Sequence, residues 1–253
     1  NETGFDAADF NKEAMASSRF KGQQYGIPIQ TTPELLVCRQ DVFQEMGLKY
    51  PETTQELLEA AYAIQRSSIR MKAIAWNAAR GTPLGHSFLF SMGSFGQPII
   101  NLRKVENGFD AEWPKGEELR PMFVTDAARD VCDFFAELIS LSPQNILNMS
   151  WFERARAYAN GEVGMAFTAT LLSPMFEFDR MSPAFGKSKY LPLPAGNAGR
   201  QIAPVGGYAL AIPKNVPSQR VAHIWSAIQE FSSAKATKIF IENGSLVSPR
   251  NSV

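Results

Sequence analysis

Short apolar runs of strand length alternate with amphipathic, helix-length segments, and two of the helix starts carry reciprocal caps. Thr53 and Glu56 stand three apart where Leu57, Leu58, Ala61 and Ile64 begin to share one helical face. That spacing lets each side chain satisfy a backbone N–H that the first turn leaves unpaired. Ser150 and Glu153 repeat the pattern, and their helix stops at Asn160-Gly161. A third helix, Thr125–Leu141, is predicted from the stripe of Ala128, Val131, Phe135, Leu138 and Ile139. Helices over Asp41–Met46, Gly85–Phe95, Ser218–Phe231 and Ser233–Asn243 complete the set.

Between the helices lie strand candidates. Tyr25–Cys38 is extended, broken by Pro28 and Pro33, and Lys72–Trp76 is a short run ended by the Asn77–Gly81 turn. In Glu162–Thr170, Val163, Met165 and Phe167 alternate with Gly164, Ala166 and Thr168. Residues 181–204 are rich in Pro, Gly, Lys and Ser and read mostly as loop, with Asn107-Gly108 a turn inside a polar stretch. Strands alternating with helices define an α/β chain.

The last strand candidate, Tyr208–Ile212, sits in the stretch APVGGYALAIP. Gly206 and Gly207 stand directly before Tyr208. Glycine inside a strand marks a bulge or a close approach to the backbone, so a ligand near Gly207, with the Tyr208 ring beside it, is one expectation. A bend is the other.

The chain's 25 basic residues balance its 25 acidic ones, which argues against nucleic acid or an anionic membrane as partner, since both favour a basic surface. No apolar run reaches the length of a membrane span. Cys38 and Cys132 form neither a disulfide framework nor a CxxC spacing, and both are expected to be buried thiols.

Catalytic signals are sparse. His86 and His223 make neither a HExxH site nor a zinc cluster, and no metal or other cofactor is expected. The GKS at residues 186–188 has Met181 where a phosphate-binding loop needs glycine, and Gly85-His-Ser87 lacks the glycine that completes a nucleophile elbow. The residues that stand out are aromatic or polar and lie at strand ends and turns: Trp76, Arg80, Asn148, Thr168, Tyr208 and Arg250. Ring faces cover C–H surfaces, and guanidinium, amide and hydroxyl groups serve hydroxyls. Together they suit a neutral polyhydroxylated ligand.

The order of these segments resembles the extracellular solute-binding proteins of bacterial ABC transporters, sugar-binding family 1. Tyr25-Gly-Ile-Pro28, Leu36, Arg39, Asp41, Phe43, Gly47, Pro51 and Thr53 match its early region, with Cys38 where tyrosine and Thr54 where tryptophan are common. Asn160-Gly-Glu-Val-Gly-Met-Ala166, Pro204 to Ile212, and the closing GSLVSPRNSV are similar to its later segments, with Tyr208 in place of a common tryptophan.

The resemblance implies a periplasmic-binding-protein-like class II fold, mainly its helix-rich second lobe. Residues 1–28 would be a remnant of the first lobe and the first crossing, 29–204 the second lobe, 205–245 the segment returning to the first, and 246–253 the third crossing. The bulk of the first lobe would be missing. It further implies a non-enzymatic, extracytoplasmic binder of a sugar or polyol that delivers its ligand to an ABC permease. Trp76 and Tyr208 would stack on ligand, Arg80 and Arg250 donate to hydroxyls, Gly207 present its N–H, and Thr31, Thr32, Asn148 and Thr168 add contacts. A sensor or peptide-binding protein of the same fold, or a glycoside-processing enzyme, stays open at this point.

Overall fold

The computed structural model describes residues 5–106, 108–244 and 247–253. The chain forms two compact units, one of residues 34–204 and one of the residues up to 33 together with 205–253. In the latter, helix α1 (Lys12–Ala16) precedes a small hairpin of β1 (Arg19–Phe20) and β2 (Gln23–Gln24). Strand β3 runs Ile27–Arg39, and its Ile27–Pro33 portion belongs to this unit.

The larger unit takes the rest of β3 and continues through α2 (Gln40–Glu45), α3 (Thr54–Arg66), β4 (Lys72–Ala75) and α4 (Thr82–Ser94). A second small hairpin, β5 (Lys104–Val105) with β6 (Gly108–Phe109), leads to α5 (Asp126–Ser140), α6 (Trp151–Ala159) and β7 (Val163–Ala169). Helix α7 (Pro174–Glu177) and strand β8 (Ser188–Leu191) close it. The chain then returns to the smaller unit as β9 (Val205–Leu210), α8 (Ser218–Phe231) and α9 (Ala234–Glu242).

In the larger unit the strand order is β4-β7-β3-β8, with β4 parallel to β7 and β3 antiparallel to both its neighbours. Leu36, Val37 and Cys38 of β3, Ile74 of β4, and Val163 and Met165 of β7 are fully buried. Sheet faces this dry read as continuous apolar runs because helices cover them. Leu57 and Ile64 of α3 and Val131 and Leu138 of α5 face this core. Gly164 has a packing reason: a Cβ there would meet Ile64 Cδ1 at 2.9 Å, so glycine lets α3 lie close on β7.

Both capping boxes form. The Glu56 carboxylate accepts from Thr53 N at 3.0 Å while Thr53 Oγ1 accepts from Glu56 N at 3.2 Å. Glu153 accepts from Ser150 N at 3.1 Å and from the Ser150 hydroxyl.

Several expectations need correction. Ile139 is 40% exposed, and Phe134 takes its place in the buried stripe of α5. Cys132 is exposed, since it lies one helical step round from buried Val131. Cys38 is buried, and burial pushes its thiol well above the ordinary range. Residues 181–204 contain β8, a four-residue edge strand whose ends are set by Gly186 and Pro192. The strand expected at Tyr208–Ile212 is Val205–Leu210, so both glycines lie inside it. Asn107, half of the predicted turn, falls outside the described residues.

The smaller unit has a slight core of Phe10, Ile27 and Ile228. Its β3 and β9 portions pair antiparallel, Gln30 opposite Tyr208, Thr31 opposite Gly207 and Thr32 opposite Gly206, with a register shift between Pro28 and Gln30. Among the described residues no helix is long and apolar enough to cross a membrane.

Candidate functional site

The parallel strands β4 and β7 end side by side: Ala75 pairs with Ala166, so Asn77 and Thr168 stand the same two steps further on. In open α/β sheets ligands gather beyond the carboxyl ends of such strands. Asn77 is fully buried, and its backbone carbonyl accepts from Ser87 Oγ at 2.9 Å. Its Nδ2 lies 3.4 Å from His86 Nδ1. The other side-chain atom, Asn77 Oδ1, has no hydrogen-bond partner among the described residues, and neither have Thr168 Oγ1 and Thr170 Oγ1. A buried polar atom left unpaired costs about 1–3 kcal/mol. All three stand within two residues of the carboxyl ends of β4 and β7.

An ion pair anchors the same edge. Glu34 of β3 sits opposite Ala169 of β7, and Arg154 reaches it from the second turn of α6. Arg154 Nη1 donates to Glu34 Oε1 and Nη2 to Oε2, the second at 3.1 Å. Both side chains are buried, at 0% and 5% exposure. The geometry is the two-pronged guanidinium–carboxylate match, and Arg154 Nε has no partner among the described residues.

The 146–151 segment is tied to the end of β4 by Ala78 N and Ala79 N, which donate to Met149 O at 3.2 and 2.9 Å. This brings half-buried Trp151, the first residue of α6, edge-on to His86 with ring centroids 6.0 Å apart. His86 also packs edge-on to Phe90 at 4.2 Å. Burial holds the His86 imidazole below its ordinary pKa; Glu34 pulls it back up and Arg154 adds to the depression. A narrow cavity of about 20 Å³ opens beside Glu34, Ser87, Phe90 and Ser91, room for about one water. Among the described residues no group of three or more His, Cys, Asp and Glu side chains could hold a metal ion.

Of the residues expected from sequence, Trp76, Arg80, Asn148 and Thr168 lie in the larger unit. Trp76 is fully buried: its ring packs 4.7 Å from that of Phe135 and Nε1 donates to Ser142 Oγ at 3.2 Å. It offers no face for stacking, because it continues the core-facing side of β4 begun by Ile74. Arg80 and Asn148 are exposed on their turns. Thr168 is part of the unpaired polar edge.

Thr31, Thr32, Gly207, Tyr208 and Arg250 lie in the smaller unit. Arg250 is committed to structure, with Nε donating to Ser232 O at 2.6 Å and Nη1 to Asp9 Oδ2 at 2.8 Å, and the guanidinium 4.1 Å above the Phe10 ring. Gly207 is required by strand pairing, since a Cβ there would lie 2.3 Å from Gln30 O. The close neighbour is the chain's own β3. Gly206 is less crowded, its Cβ position 3.2 Å from Thr32 Oγ1. Buried Thr31 directs its hydroxyl at the carbonyls of Val247 and Ser248, at 3.4 and 3.3 Å. Thr32 is half-buried, and Tyr208 is 59% exposed with its ring available.

Sequence reasoning missed Glu34 and Arg154 and set His86 aside. One signal was present, a carboxylate at the head of the apolar run Leu35–Cys38. Its partner lies 120 residues away, beyond any local pattern.

The fold has known counterparts. The chain is similar over 98% of its length to a maltose-bound structure of T. maritima MalE3, with TM-score 0.81 and 23% identity. It is similar to an ABC-transporter solute-binding protein of Agrobacterium radiobacter in complex with ribitol, with TM-score 0.84, 20% identity and 98% of this chain covered. A solute-binding protein of Agrobacterium vitis with bound D-mannitol gives TM-score 0.76, 21% identity and 98% coverage. The chain spans only 60%, 59% and 56% of those three chains. No curated protein matches it. The family model of bacterial extracellular solute-binding proteins matches residues 3–238, nearly the whole length, and the chain belongs to that family.

Proposed function

We propose that this chain is the ligand-gripping part of a sugar- or polyol-binding protein that serves an ABC importer outside the cytoplasm. Ligand is held without chemical change and passed to a membrane permease. Residues 34–204, the larger unit, act as the second lobe of the binder and 205–245 as the return to the first. Hinge closure around ligand is the way periplasmic binding proteins work, and a ligand drives it only through higher affinity for the closed form.

The observation that carries this reading is the row of unpaired buried polar atoms on Asn77, Thr168 and Thr170 at the carboxyl ends of β4 and β7. They are neutral donors and acceptors, the chemistry that hydroxyls need. Glu34 has both oxygens engaged by Arg154, which suits a structural role better than proton transfer. Maltose, ribitol and mannitol, the ligands of the similar structures, share this neutral hydroxyl-rich character. The exposed Tyr208 ring is retained as a stacking surface, with Arg80 and Asn148 as weaker contacts.

Ligand-observed saturation-transfer NMR, which reads weak binding, tests this with those three compounds and a panel of neutral sugars. Thr168→Val removes a hydroxyl that bonds to nothing described, so the fold should hold while binding weakens about three- to tenfold, as for one hydrogen bond. A panel with no binder, or binders indifferent to both Thr168→Val and Asn77→Ala, would overturn the reading.

A further inference from the structure

A groove of about 680 Å³ lies in the larger unit along α4, the β5–β6 hairpin and residues 198–204. That volume falls within the range of roughly 300–1,000 Å³ found for small-molecule sites. Its wall is made by Leu89, Phe90, Ile99, Ile100, Phe109 and Ile202. Among the described lining residues the only hydrogen-bonding side chains are the charged Lys104, Glu106 and Arg200. Among the described residues no hydroxyl or amide side chain lines it, in contrast with the Asn, Thr and His of the polar edge.

The groove is a built feature. Gly199 lies so close to α4 that a Cβ would fall 1.6 Å from Ser94 O, and Gly96, at φ +86°, would place one 2.7 Å from Ala198 O. Gly196 N donates to Ser94 O at 3.0 Å. The 196–199 turn is therefore locked against the end of α4, and the groove beside it is preformed. Leu89 and Phe109 stay 41% and 37% exposed on its wall, apolar surface that a guest would take out of water.

Phe90 joins the two places. It lines the groove and also the narrow cavity beside Glu34, and its ring packs 4.2 Å from His86. We propose that the groove is a second subsite, taking an alkyl or aryl substituent of a ligand whose hydroxyl-bearing part lies at the polar edge. Most of the described wall is hydrocarbon, with side-chain hydrogen-bond partners only at Lys104, Glu106 and Arg200, so an apolar aglycone covers more of this lining than a further sugar unit would and is the occupant that it favours. For the hydroxyl-bearing part, this rests on the function proposed above.

The test uses the chain with ¹³C-labelled isoleucine methyl groups, titrated with 4-fluorophenol, with sugars, and with their 4-fluorophenyl glycosides. The expected result is that 4-fluorophenol and the glycosides shift the methyl signals of Ile99, Ile100 and Ile202, while the sugars alone do not. Any glycoside whose sugar binds should bind about tenfold tighter than that sugar, through partial burial of the ring. Leu89→Ser and Phe109→Ser, both at exposed positions, should remove that advantage and leave sugar binding unchanged. Methyl signals unmoved by 4-fluorophenol, or an advantage that survives both variants, would overturn the second subsite. Shifts with 4-fluorophenol but no sugar binding would leave the groove standing as an apolar site and remove the sugar reading instead.

Discussion

Replacing Arg154 by methionine strips the partner from a carboxylate that has nowhere else to turn. The two side chains are 0% and 5% exposed and bonded through both prongs of the guanidinium. At an effective dielectric of about 20, unit charges about 4 Å apart attract by roughly 4 kcal/mol. Removing one member of a buried pair costs about 3–5 kcal/mol, because the remaining charge stays desolvated. Arg154→Met should therefore destabilise the larger unit by about that amount. With a urea m-value near 2 kcal/mol per M, the unfolding midpoint would drop by about 2 M. Tryptophan fluorescence, to which buried Trp76 contributes, reports the transition. The double variant Glu34→Gln/Arg154→Met leaves no charge at that position and should recover most of the loss. An Arg154→Met variant within about 1 kcal/mol of the parent, or a double variant as unstable as the single, would refute the claim that the pair is a buried, mutually dependent unit.

Three further outcomes are expected. Gly207→Ala forces a Cβ to 2.3 Å from Gln30 O, and the overlap should cost about 1–3 kcal/mol in denaturant unfolding; a neutral effect would show that β3 and β9 relax apart freely. Trp76→Ala should cost about 3–5 kcal/mol, read by thermal melting, and a folded, fully stable variant would contradict its place in the core. The third concerns pH. Burial lowers the His86 pKa below 6.5, so below that pH the unfolded chain takes up a proton that the folded chain still refuses. Stability is then lost as pH falls from about 7 towards 5. His86→Gln should flatten that slope, and an unchanged slope would remove His86 as its source.

Much of the fold is legible in the chain because its signals are local. A capping box needs side chains three residues apart, so Thr53/Glu56 and Ser150/Glu153 announced two helices. Periodicity announced α5, apart from the margin where Ile139 yields to Phe134. The short edge strand β8 was missed because four residues among Pro and Gly carry little pattern. The candidate site was harder to read. An indole beside a turn looks like a ligand platform in one dimension, and only the side chain's direction shows that Trp76 faces Phe135. Arg250 looks like a free donor until Asp9, some 241 residues earlier, is found beside it.

The sequence by itself determined the alternation of strands and helices and the starts of the two capped helices, since each of these follows from neighbours along the chain. Only the tertiary structure decided which polar groups are left wanting partners. That depends on Asn77, Thr168, His86 and the Glu34–Arg154 pair arriving at one end of the sheet from five separate segments. Burial and hydrogen bonding are properties of such convergence, and no local spacing encodes them.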